Sequence, residues 1–136
     1  MAKITEEMTG IVDQAKVVAL ATATKVGKPN VVPVAYKKVF SDDELLLVDI
    51  FMGKTEENIK ANTKVAVSAW YRVSGVSKGY QFKGNARIEI SGRAFNEGTR
   101  MVKATEPELN PKGAVIIKVD SIYIISPGPD AGKQVG

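Results

Sequence analysis

Residues 80–90 alternate between two kinds of side chain with a period of two. Phe82, Gly84, Ala86 and Ile88 share one phase, whereas the residues that alternate with them are polar or charged. Successive side chains of a β-strand point to opposite faces of a sheet, so this segment is predicted to be a strand with one buried side. The chain therefore has to build a sheet that covers a hydrophobic core.

Five other short runs have the β-branched and apolar content of strands, and turn-like segments separate them. Strands at this spacing, with a helix between the third and the fourth, favour a closed or nearly closed antiparallel barrel. The first three runs are predicted to form a meander. No linker or repeat divides the chain, so we predict a mainly β fold in one domain over residues 1–136. The six predicted strands are residues 16–24, 30–40, 44–50, 64–72, 80–90 and 114–125.

Three segments have helical character. Apolar residues recur at helical spacing over residues 4–15, where Thr5 is a predicted N-cap. Residues 54–62 are predicted to form a short helix with acids in its first turn. Residues 94–104 are a weaker helical segment, because Gly98 interrupts it.

The remaining segments are predicted to be loops. Residues 74–78 are rich in glycine and serine, and residues 106–113 contain two prolines. The tail, residues 126–136, has no periodicity and combines two prolines with three glycines. Disorder and an ordered terminus both remain open for the tail.

The sequence contains no histidine and no cysteine. Without cysteine, thiol nucleophiles, disulfides, iron–sulfur ligation and thiolate zinc sites are excluded. Without histidine, the commonest metal ligand and the usual acid–base group near neutral pH are missing. We predict no metal site, and we expect any chemistry to come from a bound cofactor.

The apolar runs of the chain are short. Residues 17–21 and 114–117 are far below the roughly 20 residues that a membrane-spanning helix needs. Residues 1–15 carry several acids and lack the apolar stretch of a secretory signal. We therefore expect a cytoplasmic protein with no membrane association. The formal net charge is +4, but the lysines are scattered, which makes a nucleic-acid partner a weak alternative.

Gly53-Lys54-Thr55 lies between a predicted strand and a predicted helix. A nucleoside triphosphate loop would need glycine at position 48, where valine stands, so that interpretation fails. A helix N-terminus still offers free amides and positive potential, to which Lys54 adds a charge and Thr55 a hydroxyl donor. The segment fits a phosphate monoester. The alternative is that Thr55 caps the helix and Lys54 is solvated.

Two other groups of residues are weaker candidates. Trp70 and Tyr71, followed by Arg72, could stack on a ring system, although Trp70 is more simply a core or subunit-interface anchor. Lys83 and Arg87 project from one face of the predicted fifth strand. They could bind an anion or form a solvated face.

Several segments together resemble the FMN-binding split-barrel family, whose fold is that of pyridoxamine 5'-phosphate oxidase. The similarity extends over residues 17–125 and is greatest to the short, single-domain flavin-binding proteins of anaerobic prokaryotes. No single motif is unique, but their order and spacing are specific. The segments that carry it are residues 17–22, 29–40, 45–50, 52–59, 61–67 and 82–86.

The resemblance implies a six-stranded antiparallel split β-barrel with short flanking helices. It also implies a homodimer that binds FMN non-covalently in grooves at the subunit interface, with residues 126–129 as an ordered lid on the partner's flavin. Lys54 and Thr55 would hold the flavin phosphate, with Asn58 as a weaker contributor. The predicted contacts to the flavin ring are Pro33, Val34, Ala35, Tyr36, Val48, Asp49, Ile50 and Phe51.

The sequence departs from the oxidases of this family in two respects. They are longer, with arginine and histidine in a C-terminal extension that holds the substrate phosphate, and this chain has no histidine. Gly79 stands where they have a glutamine in the fifth strand. Pyridoxamine phosphate oxidase activity is therefore not expected.

We accordingly predict a flavoprotein that acts in electron transfer or as a small flavin-dependent oxidoreductase, with no assigned catalytic residue. Its positive charge would suit an acidic redox partner. A deazaflavin in the same site remains an alternative, whereas haem is disfavoured because only tyrosine or methionine could ligate its iron. A nucleic-acid-binding barrel, with Trp70, Tyr71 and Tyr80 as stacking platforms, is the third possibility.

Overall fold

The computed structural model describes residues 2–136, which contain seven strands and three helices. The predicted helices and the mainly β character are confirmed. The elements, in chain order, are α1 (Glu6–Gln14), β1 (Val18–Ala23), β2 (Pro29–Val34), β3 (Lys37–Ser41), β4 (Glu44–Asp49), α2 (Lys54–Ala61), β5 (Lys64–Val73), β6 (Val76–Glu89), α3 (Arg93–Thr105) and β7 (Gly113–Ile124).

All seven strands of this part of the chain belong to one antiparallel sheet in the order β2-β1-β5-β6-β7-β4-β3. The two edge strands, β2 and β3, are consecutive in the sequence, and only Ala35 and Tyr36 separate them. This short link brings the two edges of the sheet together. The sheet therefore curls into a split barrel, as the resemblance implied.

The predicted strand count was wrong by one, because residues 30–40 form two strands rather than one. β2 pairs with β1, whereas β3 pairs with β4, so the chain changes partners at Ala35 and Tyr36. The Val48 amide donates to the Tyr36 carbonyl at 2.9 Å and ties this link to β4. Both consecutive antiparallel pairings of the predicted meander are present, but they involve different halves of residues 30–40, which lie at opposite ends of the strand order.

The core lies inside the barrel, where one phase of each strand is buried. Leu20, Phe82 and Ile122 are among the fully buried side chains from β1, β6 and β7. β4 is buried on both faces: Leu46 packs outward against Ala94 of α3, while its neighbours point into the barrel. These contacts make β4 a rigid support for the loop that follows it.

Helix α1 packs against β3, β5 and β6 at one end of the barrel. Thr5 is its N-cap, as predicted, and the Met8 amide donates to the Thr5 hydroxyl at 3.3 Å. Met8, Ile11 and Val12 are the buried side chains of this helix. Their burial fixes α1 against the barrel despite the glycine within it.

The hairpin between β5 and β6 is tighter than predicted. Residues 74–78 were expected to form a loop, but β6 begins at Val76 and only Ser74 and Gly75 form the turn. Both turn residues have positive φ, 50° and 80°. A two-residue turn of this kind matches the twist of the strands on either side, so pairing continues up to the turn.

The C-terminal tail pairs with β7 of its own chain. The Val135 amide donates to the Ile122 carbonyl at 2.8 Å, and the Ile124 amide donates to the Lys133 carbonyl at 2.9 Å. This stretch of β7 lies beyond the residues that β4 covers, so its edge is free to accept the tail. The ordered alternative for the tail is therefore the correct one.

No helix within residues 2–136 is long and apolar enough to cross a membrane.

Candidate functional site

A cavity of about 400 Å³ lies where β2 and β4 end and α2 begins. Its wall combines the link between β2 and β3, the loop between β4 and α2, and the loop after α3. Nine of the eleven residues predicted to bind cofactor line this one cavity. The full lining is Val32, Pro33, Val34, Ala35, Tyr36, Val48, Ile50, Phe51, Met52, Gly53, Lys54, Thr55, Glu106 and Leu109.

The other two predicted site residues, Asp49 and Asn58, do not line the cavity. Asp49 is fully buried, at 0% exposure, because its neighbours Val48 and Ile50 take the strand phase that faces the cavity. Asn58 is also buried, and its side-chain amide donates to the Thr22 hydroxyl at 3.0 Å. Both side chains therefore lie behind the wall of the cavity.

One end of the cavity is the N-terminus of α2. Its N-cap is Gly53, which offers no side-chain cap, so the alternative in which Thr55 caps the helix is wrong. The first amides of a helix have no acceptors within the helix. In α2 no side chain of the N-cap accepts a hydrogen bond from them either. Lys54 is exposed, and no carboxylate within residues 2–136 forms a salt bridge with it. This end of the cavity therefore concentrates hydrogen-bond donors and positive charge.

Behind this end, two hydroxyl and two amide side chains form a hydrogen-bonded network. The Asn30 amide donates to Thr55 at 3.0 Å and to Thr22 at 3.3 Å, and Asn58 donates to Thr22. Thr22 and Asn30 were not among the residues predicted from the sequence. The signal for them was the β1–β2 hairpin, in which they pair directly and Thr22 shares the buried phase of Leu20.

The opposite wall of the cavity is apolar. Pro33 and Val34 come from β2, Val48 comes from β4, and Ile50 and Phe51 come from the loop that follows. The Phe51 side chain is 81% exposed at the mouth of the cavity. Such a wall favours a flat, apolar group over a charged one.

Tyr36 and Glu106 form a polar rim on the cavity. The Tyr36 hydroxyl donates a short hydrogen bond to Glu106 and lies 2.8 Å from the Thr105 hydroxyl. The bond to Glu106 raises the pKa of Tyr36, because the carboxylate stabilises the protonated phenol. Glu106 and Leu109 were also missed, since a proline-containing loop carries no periodic signal.

The buried Asp49 carboxylate lies beneath the loop of residues 50–53, close to the more exposed Lys112 and Glu56 side chains. Its Oδ1 accepts from the Met52 amide at 3.0 Å and lies 3.9 Å from the Lys112 ammonium, while no donor within residues 2–136 reaches Oδ2. Lys112 also lies 3.4 Å from Glu56 and donates to the Met52 carbonyl at 2.6 Å. Burial, followed by the neighbouring Glu56 carboxylate, raises the pKa of Asp49 to about 6.

Neither of the two weaker candidate groups lines the cavity. Trp70 is 48% exposed and therefore not a core residue, whereas Tyr80 is half-buried and donates to Glu7 at 2.6 Å. Lys83 lies 4.9 Å from the centre of the Tyr123 ring. Arg87 forms salt bridges with Glu44 and Glu89, so the pair offers no free anion site.

A sequence model for the family described as pyridoxamine 5'-phosphate oxidase matches residues 4–126. An uncharacterised protein of Methanocaldococcus jannaschii is 39% identical over 135 residues, which are 98% of this chain and 88% of that protein. The match therefore extends from α1 to the beginning of the tail and includes every element around the cavity.

Two solved structures also match over most of the chain. An FMN-binding protein of Syntrophomonas wolfei subsp. wolfei superimposes with a TM-score of 0.81 at 15% identity, over 92% of this chain and 88% of that one. A haem-binding protein of Mycobacterium smegmatis superimposes with a TM-score of 0.73 at 16% identity, over 96% of this chain and 56% of that one. At these identities the similarity establishes a shared fold.

Proposed function

The chain belongs to the pyridoxamine 5'-phosphate oxidase family, and we propose that it binds FMN non-covalently in the cavity beside α2. The observation that carries this proposal is the division of the cavity into an apolar wall and one end rich in donors. FMN has the same division, because its ring system is flat and its phosphate is an anion. Each part of the ligand therefore has a matching part of the cavity.

The phosphate would bind at the start of α2. Lys54 supplies a full positive charge there, and the uncapped amides of the first turn supply donors aligned with the helix dipole. Thr55 adds a hydroxyl at the same end of the cavity. Asn58 would act behind Thr55, through Thr22, rather than on the phosphate itself.

The flavin ring would lie along the apolar wall. The cavity volume of about 400 Å³ falls within the usual range for small-molecule sites. Pro33 to Tyr36 and Val48 to Phe51 would flank the ring, apart from Asp49, which supports the wall from behind. This arrangement would keep water from one face of the ring.

A bound flavin supplies reversible electron or hydride transfer. The side chains of this cavity would bind and orient it, and we assign none of them a catalytic role. Tyr36 is held as a neutral phenol by Glu106, so it is a poor proton donor at neutral pH. We therefore propose electron transfer or a small flavin-dependent oxidoreductase activity, rather than pyridoxamine phosphate oxidation. The net charge of +4 suits an acidic redox partner.

We also propose that the protein is a homodimer whose partner subunit covers the open side of the cavity. Phe51 is a large aromatic side chain at the cavity mouth and is 81% exposed in the single chain. Aromatic side chains are enriched at protein interfaces, where they bury a large apolar area. A second subunit placed there would enclose both Phe51 and the exposed face of the ligand.

This proposal predicts a native mass of twice the 14.6 kDa of the chain. Phe51→Glu is expected to shift the protein toward monomer and to weaken FMN binding, because a carboxylate would be buried at the interface. Val26→Glu is the matched control, since Val26 is 93% exposed in the turn between β1 and β2. Light scattering coupled to gel filtration measures both variants, and a monomeric wild type would contradict the proposal.

A deazaflavin and haem are the alternatives within this fold. A phosphorylated deazaflavin could use the same end of the cavity. Haem is suggested by the haem-binding protein of similar fold. This chain has no histidine or cysteine, and the Tyr36 hydroxyl that could ligate iron is already bonded to Glu106.

Titration of the purified protein with FMN, riboflavin, a phosphorylated deazaflavin and hemin tests these possibilities together. We expect FMN to bind more than about tenfold more tightly than riboflavin, because riboflavin lacks the phosphate. Hemin is expected to give no sharp, stoichiometric Soret band. Stoichiometric hemin binding without FMN binding would overturn the proposal, and a preference for the deazaflavin would replace FMN with that ligand.

A further inference from the structure

The Asn30 side chain connects the first β-hairpin to the start of α2. Its amide nitrogen has two hydrogens and lies within hydrogen-bond distance of two hydroxyls, Thr55 at 3.0 Å and Thr22 at 3.3 Å. Thr22 is 3% exposed and also accepts a hydrogen bond from Asn58 at 3.0 Å. Both hydrogens of the Asn30 amide are therefore used, and both point at hydroxyl oxygens.

This arrangement determines what the Thr55 hydroxyl can do. A hydroxyl has one hydrogen to donate, and its oxygen accepts the Asn30 amide here. No bond donated by Thr55 is present within residues 2–136, although its side chain is 1% exposed and borders the cavity. The hydroxyl hydrogen is thus not used by any described residue, and Thr55 lines the cavity next to Lys54 and the uncapped amides of α2.

We infer that Asn30 is a positioning residue, which holds the Thr55 hydroxyl as a hydrogen-bond donor toward a phosphate monoester at the start of α2. This inference rests on the proposed function, and it assigns a role to a residue that does not line the cavity. A hydroxyl held as a donor binds an anion oxygen well and gains nothing from an apolar group. Asn30 therefore contributes to the selection of a phosphorylated flavin over an unphosphorylated one.

Asn30→Asp tests this role, because aspartate replaces the amide donor with an acceptor of nearly the same shape. The Thr55 hydrogen would turn toward the new carboxylate, and the added negative charge would repel the phosphate. We expect the Kd for FMN to rise by about 10- to 150-fold, the range for a lost hydrogen bond to a charged group. The Kd for riboflavin is expected to change by less than about threefold.

Asn85→Asp is the matched control. Like Asn30, Asn85 forms a hydrogen bond with a threonine, but at an exposed position. The Thr63 hydroxyl donates to Asn85 at 2.9 Å. The Asn85→Asp substitution introduces the same charge outside the cavity. It is expected to leave the Kd values for FMN and for riboflavin unchanged. Riboflavin binding also reports that the cavity of each variant is folded.

A double-mutant cycle separates positioning from a general structural role. Asn30→Ala is expected to weaken FMN binding by about tenfold in the wild-type background but by less than about twofold in a Thr55→Val background. Asn30 then acts through Thr55. An equal loss in both backgrounds, or an equal loss of FMN and riboflavin binding in Asn30→Asp, would overturn the inference.

Measurements on the wild-type protein separate the role of Asn30 from flavin binding itself. If the wild-type protein and the Asn30→Asp variant both bind FMN with the same preference over riboflavin, only the role assigned to Asn30 is wrong. If wild-type protein binds neither flavin, the proposed function is wrong and the inference falls with it.

Discussion

Replacing Lys54 with alanine is expected to weaken FMN binding by about 10- to 150-fold. Lys54 lies at the first position of α2, is exposed, and borders the cavity beside amides that no side chain caps. A hydrogen bond to a charged group contributes about 1.5–3 kcal/mol, which gives this change in affinity. Fluorescence titration of the variant with FMN and with riboflavin measures the effect. Riboflavin affinity should change little, because riboflavin has no phosphate for Lys54 to bind.

Lys60→Ala is the control for this experiment. Lys60 lies in the last turn of the same helix and forms a salt bridge with Glu56 at 3.2 Å. Its removal takes the same charge from α2 without touching the cavity, so FMN affinity should remain near that of the wild type. Equal losses in the two variants would mean that general electrostatic attraction governs binding. An unchanged Lys54→Ala variant would mean that the phosphate binds elsewhere.

Asp49→Asn is expected to raise the free energy of unfolding at pH 7.5 by on the order of 2–3 kcal/mol. The pKa of Asp49 is raised to about 6 by burial and by Glu56, above its ordinary value of 3.8. The ionised carboxylate is therefore less stable in the folded protein than in the unfolded chain. A pKa difference of this size corresponds to about 3 kcal/mol. Asparagine keeps an acceptor for the Met52 amide and can donate to Glu56, without the buried charge.

The sign of the pH dependence follows from the same shift. Between about pH 4 and pH 6 the folded protein binds more protons at Asp49 than the unfolded chain does, so stability falls as the pH rises through this range. Glu56 and Asp43 have lowered pKa values, and their stabilisation is lost below that range, as the pH falls through those pKa values. Asp49→Asn should therefore flatten the dependence of the free energy of unfolding on pH between about pH 4 and pH 6.

Urea denaturation at a series of pH values measures this profile. Asp120→Asn, at an exposed position of β7, removes a carboxylate without a buried partner and should leave the profile as in the wild type. A less stable Asp49→Asn protein at pH 7.5 would show that the salt bridge with Lys112 outweighs the cost of burying the charge. The support of residues 50–53 would then depend on that ion pair.

Local patterns in the sequence were enough to predict most of the strands and the helices. The period of two over residues 80–90 gave the strand β6, and the Thr5 cap placed α1. The division of residues 30–40 into β2 and β3 was not predictable in this way. It depends on the pairing of each half with a different strand, which is a property of the folded sheet.

Local sequence patterns predicted only part of the candidate site. Residues at the ends of β2 and β4 and at the start of α2 were predicted together, and the structure brings nine of them to one cavity. Asp49 was included although the alternation along β4 places it on the opposite side from Val48 and Ile50. Glu106 and Asn30 were missed, because each reaches the site through a contact between segments far apart in the sequence.

The cavity is expected to hold FMN with its phosphate at the start of α2. Protein purified without denaturant and then heated should release a flavin that chromatography and mass spectrometry identify as FMN, at about one per chain. Protein recovered without flavin should take up FMN to the same stoichiometry and lose that uptake with Lys54→Ala at low flavin concentration. A preparation that contains no flavin and takes up none on titration would contradict the claim.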